Sequence, residues 1–419
     1  MKQKARTGGP GGVRRSPAAE AARLADIAIA AARSAAPIDT IKAFTNVLRL
    51  DPQNLDAHMN LGMLFGKLRK QQSATKHLRR ALALARGIPE VRIHAGAAFA
   101  DLGRYDLALE TLGQAQAARP DHAFVLDTLG SVLVEIGRFE EAIGVLERAV
   151  ALDPSLGRAY FNLHRALYAA RGPAASLAAI AKGVQLAPDN FLSQLALATA
   201  LGEAGDHAGA RAVFGRFASG ADYPGARPSW EYMMQKRGAK VPNFATTRET
   251  LHFAMDCARV EGLVLEFGVC VGTSTRWLGE KTAGKVHGFD SFDGLPEAWH
   301  DSAPGEYTTH GEPPELPSNV ELHVGLFDAT LPAFVAQHKE PIRFVNVDCD
   351  LYSSTKTMFD ALSDRIVPGS VLVFDEYLVN DAWREDEYKA FQEAVTAHGW
   401  RYEYVAFGLL NGQAAVRIL

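Results

Sequence analysis

The chain holds little cysteine: Cys257, Cys270 and Cys349 are the only three in 419 residues. Their scatter offers neither the paired spacing of a zinc site nor an even disulfide framework, and it fits small thiols kept reduced in the cytoplasm. Long apolar runs are missing too. No stretch approaches the ~20 apolar residues of a membrane span. Glu20, Arg23 and Asp26 break up the alanine-rich segment where a secretory signal would need an unbroken apolar core, so 18–35 is expected to be helix. Charge of one sign is also absent: 44 Lys and Arg against 48 Asp and Glu give a net -4, which excludes a general attraction to nucleic acid or anionic lipid. The local exception is Lys2, Lys4, Arg6, Arg14 and Arg15 among glycines and prolines, which predicts a short disordered basic arm over 1–17. The remaining composition, 47% hydrophobic and 22% charged, is that of a soluble globular protein. The length exceeds one ordinary core, so two or three domains are expected.

What is present first is a repeat. Gly62, Gly96 and Gly130 lie 34 residues apart, with His164 and Ala198 in the same register. Gly103, Gly137, Arg171 and Gly205 form a second series, Ala74, Ala108, Ala142, Ser176 and Ala210 a third, Ala81, Ala115, Ala149 and Gly183 a fourth, and Pro120, Pro154 and Pro188 a fifth. Small residues at fixed places let two helices approach, the Gly-Arg-aromatic corner ends the first helix, and the proline step is expected to start the next unit because Pro fits a first helical turn. No unit buries its apolar face alone, so a right-handed solenoid of about five units is expected over roughly 38–219, with imperfect end units as caps. This half resembles the tetratricopeptide repeat family. The resemblance implies a concave surface for a protein partner or a carried substrate, with self-association as the alternative.

The period ends where Gly220, Pro224, Gly225, Pro228 and Pro242 cluster, so 220–242 reads as a linker between repeats over 18–219 and a second domain over 243–419. That domain opens with an amphipathic helix over about 247–259, then an apolar strand closing on Glu266, a turn through Gly268 and Gly272, and a helix start at Thr273 and Ser274. Strand, glycine-rich turn and helix N-terminus are the opening of a nucleotide-binding βα unit. A second strand ends in Asp290, 24 residues after Glu266, where a ribose diol would be gripped. Further strands at 320–324, 342–348 and 369–376 are apolar and β-branched, as in a buried parallel sheet. Strands at 401–408 and 414–418 flank Asn411-Gly412, a hairpin dipeptide. The fold class read from this is an α-helical repeat solenoid followed by an α/β Rossmann-like domain with a C-terminal antiparallel hairpin, the outline of a class I methyltransferase.

Four ordered blocks carry a more specific resemblance: Glu-Phe-Gly-Val-Cys-Val-Gly-Thr-Ser (266–274), His-Gly-Phe-Asp-Ser-Phe-Asp-Gly-Leu-Pro-Glu-Ala-Trp (287–299), Val-Asp-Cys-Asp-Leu-Tyr-Ser-Ser-Thr (347–355) and Val-Pro-Gly-Ser-Val-Leu-Val-Phe-Asp-Glu-Tyr (367–377). They resemble the macrocin O-methyltransferase family over about 240–419. The resemblance implies a cytoplasmic enzyme dependent on S-adenosyl-L-methionine and Mg²⁺, methylating a hydroxyl of a sugar, glycan or other small molecule.

Methyl transfer to a hydroxyl near pH 7 gains from a Lewis acid that lowers the hydroxyl's pKa and fixes its position. Asp348 closes the fourth strand while Asp375 and Glu376 close the fifth, so these three hard oxygen donors are the expected Mg²⁺ ligands. The family resemblance implies acids at both strand ends, although Glu376 stands where many relatives are expected to carry Asp. Asp350 has two readings beyond that set, a general base or outer partner of the metal and, against these, a helix N-cap. Glu266 and Gly268 are expected at the methionine end of the cofactor, Gly272, Thr273 and Ser274 in the turn around it, and Asp290 at the ribose. Asp328 is open between an adenine contact and a loop cap. His287, His310, His323 and His338 show no ligand spacing and read as strand or surface residues, with His310 singled out because it sits in a Gly/Pro-rich loop, 304–317, that could lie over the acceptor. Two rival readings compete with this one. A nicotinamide dehydrogenase lacks support because the turn is not G-x-G-x-x-G. A scaffold whose repeats bind partners and whose second domain is inactive is opposed by the joint presence of Glu266, Asp290, Asp348 and Asp375.

Overall fold

The computed structural model describes residues 20, 23–24, 37–217, 224–238 and 240–419. The expected basic arm lies outside them. So does most of 18–35, of which Glu20, Arg23 and Leu24 are helical. No described helix is long and apolar enough to cross a membrane.

Helix α1 (Pro37–Leu50) precedes five helix pairs among the described residues: α2 (Leu55–Lys67) with α3 (Gln71–Leu84), α4 (Pro89–Asp101) with α5 (Tyr105–Ala118), α6 (Ala123–Glu135) with α7 (Phe139–Leu152), α8 (Gly157–Arg171) with α9 (Pro173–Leu186), and α10 (Phe191–Glu203) with α11 (His207–Phe217). The 34-residue period has one physical origin. A Cβ added at Gly62, Gly96 or Gly130 would fall 2.7, 2.6 or 2.4 Å from an atom of Leu78, Leu112 or Leu146 on the partner helix, so only glycine lets each pair close. Ala74, Ala108 and Ala142 are fully buried in the same seams. In the fourth unit the corner series falls on Arg171, and the positive φ moves one residue on, to Gly172.

The proline series acts differently from the expectation. Pro120, Pro154 and Pro188 each lie three residues upstream of the next helix, in the turn itself. There the fixed φ of proline shapes the turn, and the helix start is satisfied by another group: the Asn190 side chain accepts from the Ser193 amide at 2.8 Å.

The described residues within 220–242 include a helix. This is α12 (Ala226–Arg237), with Ser229, Trp230 and Met233 buried. Trp230 packs on Phe214 with ring centroids 5.3 Å apart, and the Tyr232 and Tyr404 hydroxyls meet at 2.6 Å. Its aromatic residues bury against both halves, and one apolar core runs from Leu195 and Phe214 through Trp230 to Phe374 and Phe407.

The second half is α13 (Thr247–Asp256), β1 (Leu263–Phe267), α14 (Thr273–Lys281), β2 (Val286–Asp290), β3 (Val320–Val324), α15 (Phe327–Gln337), β4 (Ile342–Val347), α16 (Tyr352–Leu362), β5 (Val371–Phe374), α17 (Glu387–His398), β6 (Tyr402–Gly408) and β7 (Gln413–Ile418). The seven strands lie in the order β3-β2-β1-β4-β5-β7-β6. Strands β1 to β5 pair in parallel, and β7 inserts antiparallel between β5 and β6. The strand order reverses between β1 and β4, and a ligand of an open α/β sheet binds outside the carboxyl ends at such a switch point.

Candidate active site

A cavity of about 450 Å³ opens at that place. Gly268, Cys270 and Asp290 line one side, Gly325 and Asp328 another, and Asp348, Asp350, Asp375 and Glu376 the wall that follows β4 and β5. The glycine is a packing necessity. At φ 92°, a Cβ on Gly268 would stand 1.6 Å from the Asp348 carbonyl oxygen, so no other residue lets the β1 turn pass over the end of β4. The backbone then locks the strand ends together: the Asp348 amide donates to Phe267 O at 2.8 Å and the Asp375 amide to Val347 O at 2.9 Å.

The cavity wall is electrostatically crowded. Burial, then repulsion from Asp375, pushes the Asp350 carboxyl up to about 7. The same two causes push Glu376 up to about 8. Burial raises Asp375 to about 6, opposed by the Gln413 amide, which donates to its Oδ1 at 2.5 Å. Asp348 and Glu387 are raised well above the ordinary carboxylate range, again by burial first and Asp375 next. Glu387 Oε2 accepts from the Glu376 amide at 3.0 Å, while its Oε1 is buried without a hydrogen-bond partner. Carboxyl groups poised near neutrality can accept a proton at pH 7 or be neutralised by a cation.

The donor set is all oxygen, which matches a hard divalent cation. Among the described residues, however, no three of these carboxylates bring oxygens within 4.8 Å of one another. Side-chain rotation would have to close the set around a metal.

The other residues singled out in the sequence divide into two groups. Asp328 lies in the first turn of α15 and faces the cavity, where its helix start shows no side-chain cap. Asp350 is held at φ 59° and lines the cavity, while the cap position of α16 belongs to Leu351 without a side-chain bond, so the N-cap reading is not realised. Asp290 lines the cavity as well, but its oxygens are committed to backbone: Oδ2 accepts from the Val269 and Cys270 amides at 2.8 and 2.7 Å, and Oδ1 from Phe292 at 2.6 Å. It shapes the glycine-rich turn, and a further acceptor site is left on Oδ1.

Glu266 is fully buried below the cavity floor. Its Oε1 accepts from Asn346 Nδ2 at 2.9 Å, and burial lifts it to about 7 against the pull of the Thr275 and Ser274 hydroxyls. Gly272, Thr273 and Ser274 do not line the cavity. Gly272 packs against Pro314 and Leu316, and Thr273 against Gly103 of the repeats.

That last contact belongs to a wider clasp between the halves, which no local sequence signal announces. Gln71 Nε2 donates to Val271 O at 2.8 Å in the glycine-rich turn. The Ser73 hydroxyl donates to Glu312 at 2.6 Å, Gln72 Nε2 to Pro313 O at 2.8 Å, and Arg104 to Glu315 at 3.0 Å. Arg69 lies over the Tyr307 ring at 4.9 Å, and Tyr307 lines the cavity. Tyr105 stacks on Trp277 at 6.0 Å. The loop 304–317 is therefore fastened to the first two repeats, and the exposed His310 within it does not line the cavity. Glu387 and Gln413 are the further residues that sequence reasoning passed over. Gln413 alone gives a signal, as a polar residue opening an apolar strand.

Residues 265–377 match the family model of a methyltransferase domain, and residues 89–155 and 128–191 match models of the tetratricopeptide repeat. No curated protein matches the chain. Similar solved structures include the pilF protein of Pseudomonas aeruginosa, 19% identical, covering 53% of this chain and 100% of that one with a TM-score of 0.45. A tetratricopeptide repeat protein from Parabacteroides merdae is 14% identical, with 52% and 86% covered and a TM-score of 0.45. PilW, a type IV pilus biogenesis factor, is 17% identical, with 48% and 93% covered and a TM-score of 0.44.

Proposed function

We propose that this chain, a methyltransferase domain joined to tetratricopeptide repeats, transfers the methyl group of S-adenosyl-L-methionine to a hydroxyl of a sugar or glycosylated small molecule. The observation that carries the reading is the cavity at the sheet's switch point, with the glycine-rich turn on one side and Asp348, Asp350, Asp375 and Glu376 on the other. The macrocin O-methyltransferase resemblance of the four sequence blocks supplies the oxygen acceptor and the metal.

Bound S-adenosyl-L-methionine supplies an electrophilic methyl group, and Mg²⁺ would supply charge to lower the acceptor's pKa. The residues of the chain do the rest. Gly268 and the Asp290-braced turn admit the cofactor beside β4, and Asp328 faces the same space. Asp348, Asp375 and Glu376 would hold the cation. Asp350, poised near 7, takes the hydroxyl proton on a carboxylate oxygen. The Tyr307 loop covers the site from the side that the repeats fasten.

Calorimetric titration with S-adenosyl-L-methionine, with and without Mg²⁺, tests the cofactor. Micromolar binding that Asp350→Asn retains, while its release of S-adenosylhomocysteine with hydroxylated acceptors falls, fits the assignment. Absence of binding under every condition would sink the enzyme reading in favour of a repeat scaffold with an inactive second domain.

A further inference from the structure

Two histidines 36 residues apart in sequence are neighbours in space. The parallel register sets His287 on β2 beside Glu321 on β3, and strand alternation puts Glu321 and His323 on the same face. His287 Nδ1 and His323 Nε2 stand 3.1 Å apart. With a carboxylate oxygen of Glu321 they form a set of three ligand atoms within 4.8 Å of one another, the one such group among the described residues. None of the three lines the acidic cavity.

We propose that His287, His323 and Glu321 form a transition-metal site suited to Zn²⁺, separate from the acidic cavity, with a fourth position open to water. The geometry is close to what the ion needs. Zinc–nitrogen bonds of 2.0–2.1 Å at the tetrahedral angle place two ligating nitrogens about 3.3 Å apart. Two imidazoles and one carboxylate are borderline ligands that favour zinc over magnesium, whereas the cavity offers oxygen alone.

The protonation states agree with this placement. Burial and the neighbouring His323 hold His287 down to about 4, and burial lowers His323 also, so both rings are neutral at pH 7; in the metal-free site one ring donates to the other across the 3.1 Å contact, and an ion replaces that hydrogen bond as the donor ring moves its proton to its other nitrogen. Glu321 pairs with Lys285 at 2.8 Å, but both are exposed, and a surface pair of this kind is worth little and yields readily to a metal. His338, just after α15, meets the His287 ring edge to face with ring centroids 4.8 Å apart. The Glu321 side faces solvent and gives an ion its entry. A metal here would tie β3, the outermost strand, to β2. The chain leaves β3 directly into Gly325 and Asp328 of the cavity wall, so the tie would brace that wall.

The test is Co²⁺ titration of the chelator-treated full chain, read by visible absorption, in excess Mg²⁺ to saturate hard oxygen sites. One equivalent should give the intense bands of a nitrogen-rich tetrahedral site, bleached by Zn²⁺. Asp348→Asn should leave them unchanged. His323→Ala, at a half-exposed position, should fold as judged by circular dichroism and lose them. Outer partners of a metal alone are worth ~10–100-fold in affinity, so Glu321→Gln, which removes a ligand, should weaken binding by about 100-fold or more. No bands in the native chain, bands surviving His323→Ala, or bands lost in Asp348→Asn would each overturn the proposal.

Discussion

In the repeat half one contact recurs: Gly62 meets Leu78, Gly96 meets Leu112 and Gly130 meets Leu146, each glycine on a first helix and each leucine on its partner. At the strand ends of the second half nothing recurs. Asp348, Asp350, Asp375 and Glu376 sit half-buried in one cavity wall with Glu387 buried behind them, and their mutual repulsion raises the cost of ionising them. The first region is packed for stability and the second is held against its own repulsion, an expense that stable packing elsewhere must offset. The clasp through Gln71, Ser73 and Arg104 joins the two, so the repeats form part of the wall that keeps Tyr307 at the cavity.

The difference can be broken by substitution. The largest effect is expected at Asp350. General acid–base groups contribute ~10²–10⁴-fold, so under the proposed function Asp350→Asn should reduce methyl transfer by at least about 100-fold. Its melting temperature should hold or rise, because one member of the repelling cluster is gone. A fall in both would mean that Asp350 serves the fold. Next is Gly130→Val, which inserts atoms where the nearest leucine carbon is 2.4 Å from a Cβ. Overpacking of this kind costs about 1–3 kcal/mol, measurable as a lower denaturant midpoint, with affinity for S-adenosyl-L-methionine unchanged in the folded protein. Loss of affinity at unchanged stability would erase the division of labour. The smallest effect is expected from Arg104→Ala, which frees Glu315 and Asp106. Amide exchange in 304–317 should quicken and cofactor affinity fall a few-fold, and exchange unchanged across that loop would show that the clasp does not restrain it.

The same contrast explains what could be read from the sequence. Packing that repeats every 34 residues leaves its period in the chain, so the helix pairs were legible down to Gly62, Gly96 and Gly130. The acids closing β4 and β5 were legible because strand ends in an α/β sheet converge at one edge. Register was not legible: His287 and His323 show no ligand spacing, and only the β2–β3 pairing brings them to 3.1 Å. Nor was the competition for Asp290, whose oxygens go to three backbone amides. The helix at Ala226–Arg237 was not legible for a related reason. The glycines and prolines of 220–242 signal irregular chain, yet Trp230 and Tyr232 are spaced to bury one helix between the halves.

Under the proposed function, a divalent cation relieves the mutual repulsion of the cavity carboxylates. Folded-state values of about 7 for Asp350, 8 for Glu376 and 6 for Asp375 lie above those of an unfolded chain, near 4. The unfolded chain ionises first as pH rises, so these three groups favour the folded state most at low pH and lose that contribution between about pH 4 and 8, against the opposite trend of His77, His164, His252 and His287, which burial holds down to about 4. The direct measurement is thermal unfolding of the chelator-treated protein at pH 6 and pH 8, with and without Mg²⁺, for the native chain and Asp375→Asn. The expected result is that Mg²⁺ raises the melting temperature of the native chain, more at pH 8 than at pH 6, and that Asp375→Asn gains on the native chain at pH 8 and responds less to Mg²⁺. Melting temperatures indifferent to Mg²⁺ at both pH values, with the same pH response in the variant, would contradict it.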